Sequence, residues 1–338
     1  MRTVFLTGAT GFIGRHVADA LLDRGCEVRC LVRAPGRARH LDRDGLRIVA
    51  GSLADVEGWR DQLVGCDAVI NAGGLVAARR RSDLFATNGK AAGTLADACA
   101  ALETPPPLVH VSSLAAAGPT RRGRPPRVES DPPRPISLYG SSKRAGEAEL
   151  ERRADRLPVT IVRPGIVFGP HETKLATLFQ MVHALRLHIV MGFRDPPLSL
   201  IHVADLVAVL LAAAERGGRV AADGPPGQCG VYNACDDREH PSYGDLGRRV
   251  GRAVGVGSVL VIPVPTEFAW PTVSAIEGFW TALGRPSFVS RDKLREANAV
   301  SWAASAACSR ADLGVAPALT LDERLRQTAD WLRAERLL

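Results

Sequence analysis

Tyr139 and Lys143 stand four residues apart in the segment Leu138-Tyr139-Gly140-Ser141-Ser142-Lys143. On a helix this spacing places both side chains on one face, within about 6 Å of each other at Cβ. A free tyrosine has a pKa of about 10, so it is a poor acid–base group at neutral pH. A neighbouring ammonium favours the phenolate, and lowering that pKa to about 7 takes about 4 kcal/mol. The pair therefore predicts a proton-transferring tyrosine that a lysine activates.

A glycine loop near the N-terminus indicates a nucleotide site. Gly8-Ala9-Thr10-Gly11-Phe12-Ile13-Gly14 follows a predicted strand and opens a predicted helix. Gly8 permits a tight turn, Gly11 lets backbone amides approach a pyrophosphate, and Gly14 lets helix and strand pack closely. The positive end of the helix dipole adds to the attraction for an anion. We expect the loop to bind a dinucleotide through Gly8, Thr10, Gly11, Phe12, Ile13 and Gly14; the alternative is glycines that only shape a turn.

The end of the second predicted strand bears on the choice of cofactor. NAD sites usually have a carboxylate there for the ribose 2′-hydroxyl, but Leu31-Val32-Arg33-Ala34-Pro35-Gly36-Arg37 contains no acid. Arg33, helped by Arg37, is suited to a 2′-phosphate, which favours NADP(H) and leaves NAD(H) open. Positions after the third and fourth strands are also expected to line the cofactor: Ser52, Leu53, Ala72 and Gly73.

The elements that must position these residues follow from the hydrophobic pattern. Apolar or β-branched runs alternate with helical patterns, which is typical of βαβ units. The predicted strands are 3–7, 27–32, 46–50, 68–71, 108–112, 159–162 and 231–234. The predicted helices are 14–24, 56–64, 88–101, 139–155, 203–214 and 322–337. Right-handed crossovers then give an α/β fold, a Rossmann-type doubly wound parallel sheet with a smaller C-terminal substrate lobe.

The regular pattern weakens after Pro164, in segments 171–200 and 236–300. We expect a dinucleotide-binding domain made of residues 1–165 and 201–234. A substrate-binding lobe is expected from residues 166–200 and 235–321, followed by a C-terminal helix in residues 322–338.

Composition narrows the possible environments and partners of the chain. Its 338 residues are 46% hydrophobic and 23% charged, and no apolar run reaches the roughly 18 residues of a membrane span. Seven cysteines show neither a CxxC pair nor a metal-ligand spacing, which predicts no metal site and a reducing, cytoplasmic location. The net charge of +7 includes an arginine-rich loop at 121–127, but no aromatic residues interleave there for base stacking. We therefore expect a small-molecule substrate and no nucleic-acid partner.

The order and spacing of five motifs resemble the extended short-chain dehydrogenases/reductases. This group includes the nucleotide-sugar epimerases, the dihydroflavonol-type reductases and the 3β-hydroxysteroid dehydrogenases. The motifs are the loop at 7–14, Val111-Ser112-Ser113, the segment at 139–143, Val162-Arg163-Pro164-Gly165, and Ile201-His202-Val203-Ala204-Asp205-Leu206.

The resemblance implies a role for each matching residue. Tyr139 becomes the general acid/base, and Lys143 its activator and a contact to the nicotinamide ribose. Ser113 would hydrogen-bond the substrate oxygen, with Ser112 as the alternative if the register differs by one residue. Asn88 matches an asparagine that holds a water relay, although a helix N-cap is equally open. The resemblance also adds Pro164 to the cofactor contacts and implies a homodimer formed through helices 88–101 and 139–155.

Departures from the sugar-nucleotide branches bear on the substrate. Those enzymes carry an asparagine where this chain has Ile166, and an Arg-Asp pair where it has Leu198-Ser199-Leu200. Arg194 and Asp195 fall too early for that pair, and a buried diphosphate without partners is costly. The expected activity is an NADP(H)-dependent oxidoreductase that interconverts a secondary alcohol and ketone on a largely apolar small molecule. The alternatives are an NDP-sugar epimerase or dehydratase, and a non-catalytic dinucleotide-binding protein.

Overall fold

A computed structural model describes residues 1–38, 41–121, 123–192, 195–221, 230–283 and 290–338. Its strands are β1 (Thr3–Thr7), β2 (Glu27–Val32), β3 (Leu46–Ala50), β4 (Ala68–Asn71), β5 (Leu108–Val111), β6 (Val159–Pro164), β7 (Ile166–Phe168), β8 (Leu187–Met191), β9 (Leu200–His202), β10 (Val231–Ala234) and β11 (Leu260–Val264). Seven of them form one parallel sheet in the order β10-β6-β5-β4-β1-β2-β3. The order reverses between β1 and β4, and at such a point the carboxyl ends of the strands leave a crevice for a ligand.

Helices cover both faces of this sheet. They are α1 (Phe12–Asp23), α2 (Arg81–Phe85), α3 (Ala91–Ala100), α4 (Leu114–Ala117), α5 (Leu138–Glu151), α6 (Thr173–Leu185), α7 (Val203–Arg216), α8 (Tyr243–Val254), α9 (Thr266–Ala282), α10 (Arg291–Ala297), α11 (Ala307–Leu313) and α12 (Leu321–Ala334). Alternate residues of β1 face opposite cores: Leu6 packs in the core that includes α1 and α7, and Phe5 in the core that includes α3 and α5. Burial on both faces explains why the strands read as apolar runs. The prediction of a doubly wound sheet is confirmed.

The predicted strands agree with the structure except at two ends. β5 stops at Val111, one residue early, and β6 continues to Pro164. The predicted helix at 56–64 is wrong, because only Arg60–Leu63 forms a 3₁₀ turn. Trp59 is buried against Phe5, and its indole N–H donates to the Ser52 carbonyl at 2.8 Å. This packing holds the segment as a loop in spite of its helical pattern.

The C-terminal lobe is more regular than the sequence predicts. α6, α8 and α12 share a core that includes Phe179, Leu246 and Leu325. β8 pairs with β11 in a small parallel sheet, and β7 pairs with β9 in another. α9 and α10 pack on each other through Ala269, Val273 and Leu294. No helix among the described residues combines the length and apolar character that crossing a bilayer requires.

Candidate active site

The glycine loop is packed too closely to admit side chains. A Cβ on Gly14 would lie 2.1 Å from the carbonyl oxygen of Gly8, and one on Gly8 would lie 2.6 Å from the backbone nitrogen of Gly73. Gly8 also has a φ of +74°, which favours glycine. The first turn of α1 therefore presents its amide groups at the carboxyl edge of the sheet, where a dinucleotide diphosphate fits. Thr10 and Gly11 are exposed there, and Phe12 and Ile13 line the adjoining cavity.

An exposed arginine follows the end of β2. Arg33 is exposed and makes no hydrogen bond or ion pair with any residue that the structure describes. The side chain of Arg37 lies outside the described part. Ser52 and Leu53 are half-buried after β3, and Ala72 and Gly73 leave little side-chain bulk after β4. These positions surround the adenosine end of the predicted cofactor site.

Tyr139 and Ser113 meet at the carboxyl edge of the sheet. Tyr139 is in the first turn of α5, which Ser137 caps by accepting a hydrogen bond from the Gly140 amide at 2.9 Å. Ser113 caps α4 by accepting from the Ala115 amide at 3.1 Å. Burial raises the pKa of Tyr139 to about 12, while a hydrogen bond with Ser113 lowers this pKa and the charge of Glu296 raises it. The two hydroxyl groups are therefore placed to share one oxygen atom of a substrate.

Lys143 lies on the same face of α5 as Tyr139 and is buried there. Its ammonium donates to the carbonyl oxygen of Val111 at 2.9 Å, at the end of β5. Burial lowers the pKa of Lys143 to about 8, and Glu147 opposes that shift. The dominant effect on the pKa of the Tyr139 phenol is burial, and its activation by the lysine stays a prediction. At neutral pH Tyr139 is a protonated phenol.

Ser112 has a different environment from Ser113. Its hydroxyl donates to Glu147 at 2.6 Å, and Arg163 holds the same carboxylate through two hydrogen bonds of 2.8 and 2.7 Å. Glu147 is fully buried, and this network fixes α5 to β5 and β6. Ser113, and not Ser112, is therefore the serine next to Tyr139.

Asn88 anchors the loop after β4. Its side chain accepts from the Leu75 amide and donates to the Leu75 carbonyl, both at 2.8 Å, and it also donates to Ser142 at 2.9 Å. It lies inside a short π-helical segment, Ala86–Lys90, and caps no helix, so the N-cap alternative is wrong. A Cβ on Gly74 would lie 2.9 Å from the Lys143 ammonium, so a side chain there would have to displace this ammonium.

α10 supplies active-site residues that the sequence reasoning missed. Lys293 lies 5.1 Å from the centroid of the Tyr139 ring and pairs with Glu296 at 2.5 Å. Glu296 also accepts from Ser137, and Asp292 accepts from the Leu138 amide, both at 2.5 Å. The C-terminal lobe is thus bonded directly to the first turn of α5. About 150 residues separate these partners, and the only local signal was a charged helix with i,i+3 pairs.

A cavity of about 630 Å³ runs from the glycine loop into the C-terminal lobe. Most of its lining is apolar and comes from both lobes, including Leu75, Leu114, Ile166, Met191, Val273 and Trp302. Its charged lining residues, within the described ranges, are Lys143, Glu172, Lys174, Lys293 and Glu296. Lys293 is paired with Glu296, and the charge of Glu172 acts on Lys174. Apart from Lys143, the charges of the lining therefore cancel.

A buried polar chain crosses the sheet beneath this site. Thr7 donates to Asn71 at 2.6 Å, and the Asn71 amide nitrogen lies 3.0 Å from Nδ1 of His110. The Thr7 hydroxyl also accepts from the Gly73 amide at 3.2 Å, so the chain reaches the cofactor loop. Burial lowers the pKa of His110 to about 3, and the charge of Lys143 contributes to the shift.

The doubly wound sheet, the packed glycine loop and the Ser113–Tyr139–Lys143 arrangement define an NAD(P)-dependent enzyme of the extended short-chain dehydrogenase/reductase group. Residues 4–232 match the sequence profile of the NAD dependent epimerase/dehydratase family, and the chain belongs to that family.

Individual relatives show how far the similarity extends. A ceramide reductase of Caulobacter vibrioides is 29% identical over 335 residues, which cover 98% of this chain and 94% of the relative. A 4-hydroxy-2-methyl-3-oxo-4-farnesyl-3,4-dihydroquinoline-1-oxide ketoreductase of Stigmatella aurantiaca is 32% identical over 225 residues, 64% of this chain and 65% of that protein. The crystal structure of UDP-glucose 4-epimerase from Thermotoga maritima superposes with a TM-score of 0.78 at 19% identity and covers 99% of both chains. That likeness shows the fold.

Proposed function

We propose that the protein reduces a ketone on a largely apolar molecule to a secondary alcohol, with NADP(H) as cofactor. The observation that carries the proposal is the contact of Tyr139 with Ser113 at the wall of an apolar, charge-balanced cavity. The packed glycine loop supports dinucleotide binding at the other end of the same cavity.

The protein groups have separate tasks in this proposal. When bound, the nicotinamide ring supplies the hydride for the carbonyl carbon. Tyr139 donates its proton to the carbonyl oxygen, and a pKa of about 12 keeps that proton in place at neutral pH. Ser113 donates a hydrogen bond to the same oxygen and orients it. Lys143, fixed on the Val111 carbonyl, supplies the positive charge that stabilises the phenolate left on Tyr139.

The cavity supports an apolar substrate in preference to a sugar nucleotide. A diphosphate carries at least two negative charges, and the paired lysines of the lobe offer it no net positive charge. Ile166 and Leu198 line the cavity where sugar-nucleotide enzymes have polar residues. Asp195 is used to cap α8, where it accepts from the Gly244 amide at 2.9 Å. Arg194 lies outside the described residues. The names of the two relatives, a ceramide reductase and a farnesyl-quinoline ketoreductase, support a long-chain ketone.

The experiment measures NADPH oxidation with a panel of long-chain ketones. Tyr139→Phe should lower kcat/KM by about a thousandfold and leave NADPH binding intact, because only the proton donor is removed. Ser113→Ala should also lower kcat/KM, whereas Tyr232→Phe, on distant β10, should leave it unchanged. Substantial activity in Tyr139→Phe would reject the assignment. Strong thermal stabilisation by UDP- or dTDP-sugars would reject the substrate class, and tight NADPH binding without turnover of any ketone would favour a non-catalytic protein.

A further inference from the structure

The C-terminal lobe exposes an apolar surface beside the cavity, here called the α9 patch. It consists of Leu185, Ile189, Leu260, Ile262, Phe268, Phe279 and Leu283. These are half of the 14 exposed large hydrophobic residues in the described part of the chain. Exposed apolar residues that cluster in this way mark a binding surface, whereas scattered ones need no explanation.

The character of α9 is unusual for a helix at the surface. Its 17 residues include only two charged ones, Glu267 and Glu277. Phe268 and Phe279 are 72% and 61% exposed and lie on one face, since they are three helical turns apart. Ala269 and Val273, about 100° and 140° around the helix from Phe268, are buried. A helix that is apolar on both faces is typical of one that is covered on both sides.

The small sheet of β8 and β11 extends this surface. Leu187 pairs with Leu260, Ile189 with Ile262, and Met191 with Val264. Because alternate residues of a strand share a face, these six side chains form one apolar face. Met191 and Val264 pack against the cluster that includes α9, whereas Ile189, Leu260 and Ile262 are exposed. The exposed half of this face of the β8–β11 sheet therefore lies next to α9.

We propose that the α9 patch binds the surface of a lipid bilayer. Val273 lines the cavity on the inner side of α9, while Phe268 and Phe279 face outward, so a single helix separates the cavity from the patch. A substrate dissolved in the bilayer then reaches the cavity without crossing water. This route for the substrate rests on the proposed function, whereas the binding of the α9 patch to a bilayer does not.

Charge favours anionic lipid over a second copy of the chain, because two chains that each carry a net charge of +7 repel each other. Arg186, directly before β8, is exposed and pairs with no carboxylate among the described residues. Glu277 is already paired with Arg291, so Glu267 is the acid that α9 leaves exposed. The helices expected to form a dimer, α3 and α5, contribute none of the exposed large hydrophobic residues.

The test is flotation of the full chain with vesicles of phosphatidylcholine and phosphatidylglycerol. The wild type should float with the vesicles, and the double variant Phe268→Ser/Phe279→Ser should lower the bound fraction about tenfold. Val64→Ser/Val128→Ser, which changes two exposed residues outside the patch, should bind like the wild type. Arg186→Gln should weaken binding to the anionic vesicles about fivefold, the loss expected for one basic residue at a lipid surface.

Three results would overturn the proposal. They are no flotation of the wild type, unchanged flotation of the double variant, and conversion of a dimer to a monomer by the double variant without loss of flotation. Quenching of tryptophan fluorescence by brominated acyl chains, measured on the wild type, tests the same contact through Trp270 and Trp280 without any substitution. NADPH-dependent reduction of a short, water-soluble ketone should be equal in wild type and double variant, so failure of the proposed activity is seen separately from failure of membrane binding.

Discussion

The ammonium group of Lys143 is hydrogen-bonded to the carbonyl oxygen of Val111, at a distance of 2.9 Å. This contact joins α5, which carries Tyr139 and Lys143, to β5, which leads to Ser113. It therefore helps to hold these three side chains together. It also keeps a positive charge at the site, although burial lowers the pKa of Lys143 to about 8. The contact therefore fixes the charge of the lysine at the end of β5.

The first prediction concerns the pH dependence of reduction. Lys143 is charged below pH 8 and loses its proton above it, so its stabilisation of the Tyr139 phenolate is lost as the pH rises. We expect kcat/KM for ketone reduction to be constant from pH 6 to 7.5 and to fall above about pH 8. NADPH binding measured at each pH serves as the control. A profile that stays flat to pH 10 would contradict the role given to Lys143.

The second prediction concerns cofactor choice. Arg33 is exposed without a partner among the described residues, so Arg33→Glu should raise the Kd of NADPH by about ten- to hundredfold through loss of a charge-assisted hydrogen bond. The Kd of NADH should change much less. Arg47→Glu, an exposed arginine within β3, is the matched control and should leave both constants unchanged. Equal weakening of both cofactors by Arg33→Glu would argue against recognition of a 2′-phosphate.

The third prediction concerns the buried network behind Ser112. Glu147→Gln leaves Arg163 without its charged partner in the core, which typically costs about 3–5 kcal/mol of unfolding free energy. Glu149→Gln, on the same helix, breaks surface ion pairs with Arg152 and Arg153 and should cost less than about 1 kcal/mol. Urea unfolding of both variants measures the difference. Similar losses in the two variants would mean that the buried pair is dispensable.

The fourth prediction concerns stability at acid pH. The pKa of His110 is about 3 in the folded protein, below its usual 6.5, so the unfolded chain binds a proton first as the pH falls. The contribution of neutral His110 to the free energy of unfolding is complete above pH 6.5 and is lost progressively towards pH 3. Between pH 7.5 and pH 5 the wild type should therefore lose about 2 kcal/mol more stability than His110→Gln. Urea midpoints at both pH values test this, and His183→Gln, at an exposed position, should behave like the wild type.

The fifth prediction concerns the cofactor loop. A Cβ on Gly14 meets the backbone of Gly8, which cannot move aside as a flexible side chain can. Gly14→Ala should therefore abolish measurable NADPH binding or prevent folding. Gly257→Ala, where a Cβ has open space, should do neither. Normal NADPH affinity in Gly14→Ala would show that the loop is not packed as described.

The amino-acid sequence by itself determined most of the secondary-structure elements and most of the residues of the candidate site. Apolar runs and glycine spacing act locally, so the strands of the main sheet, the loop at Gly8–Gly14 and the Tyr139–Lys143 spacing could all be predicted. The choice between Ser112 and Ser113 could not be predicted from the sequence, because adjacent residues of an extended segment point to opposite sides. Only the packing of α5 on β5 shows that one of these serines faces Glu147 and the other Tyr139.

Tertiary structure alone decided the electrostatics and the far wall of the site. Burial, a property of the whole fold, set the pKa of Tyr139 above its usual value and opposed the effect expected from the lysine. The contacts of Asp292, Lys293 and Glu296 with the start of α5 join segments about 150 residues apart. Helical periodicity carries no information about such partners, because it reports which face of a helix is buried and not what covers it.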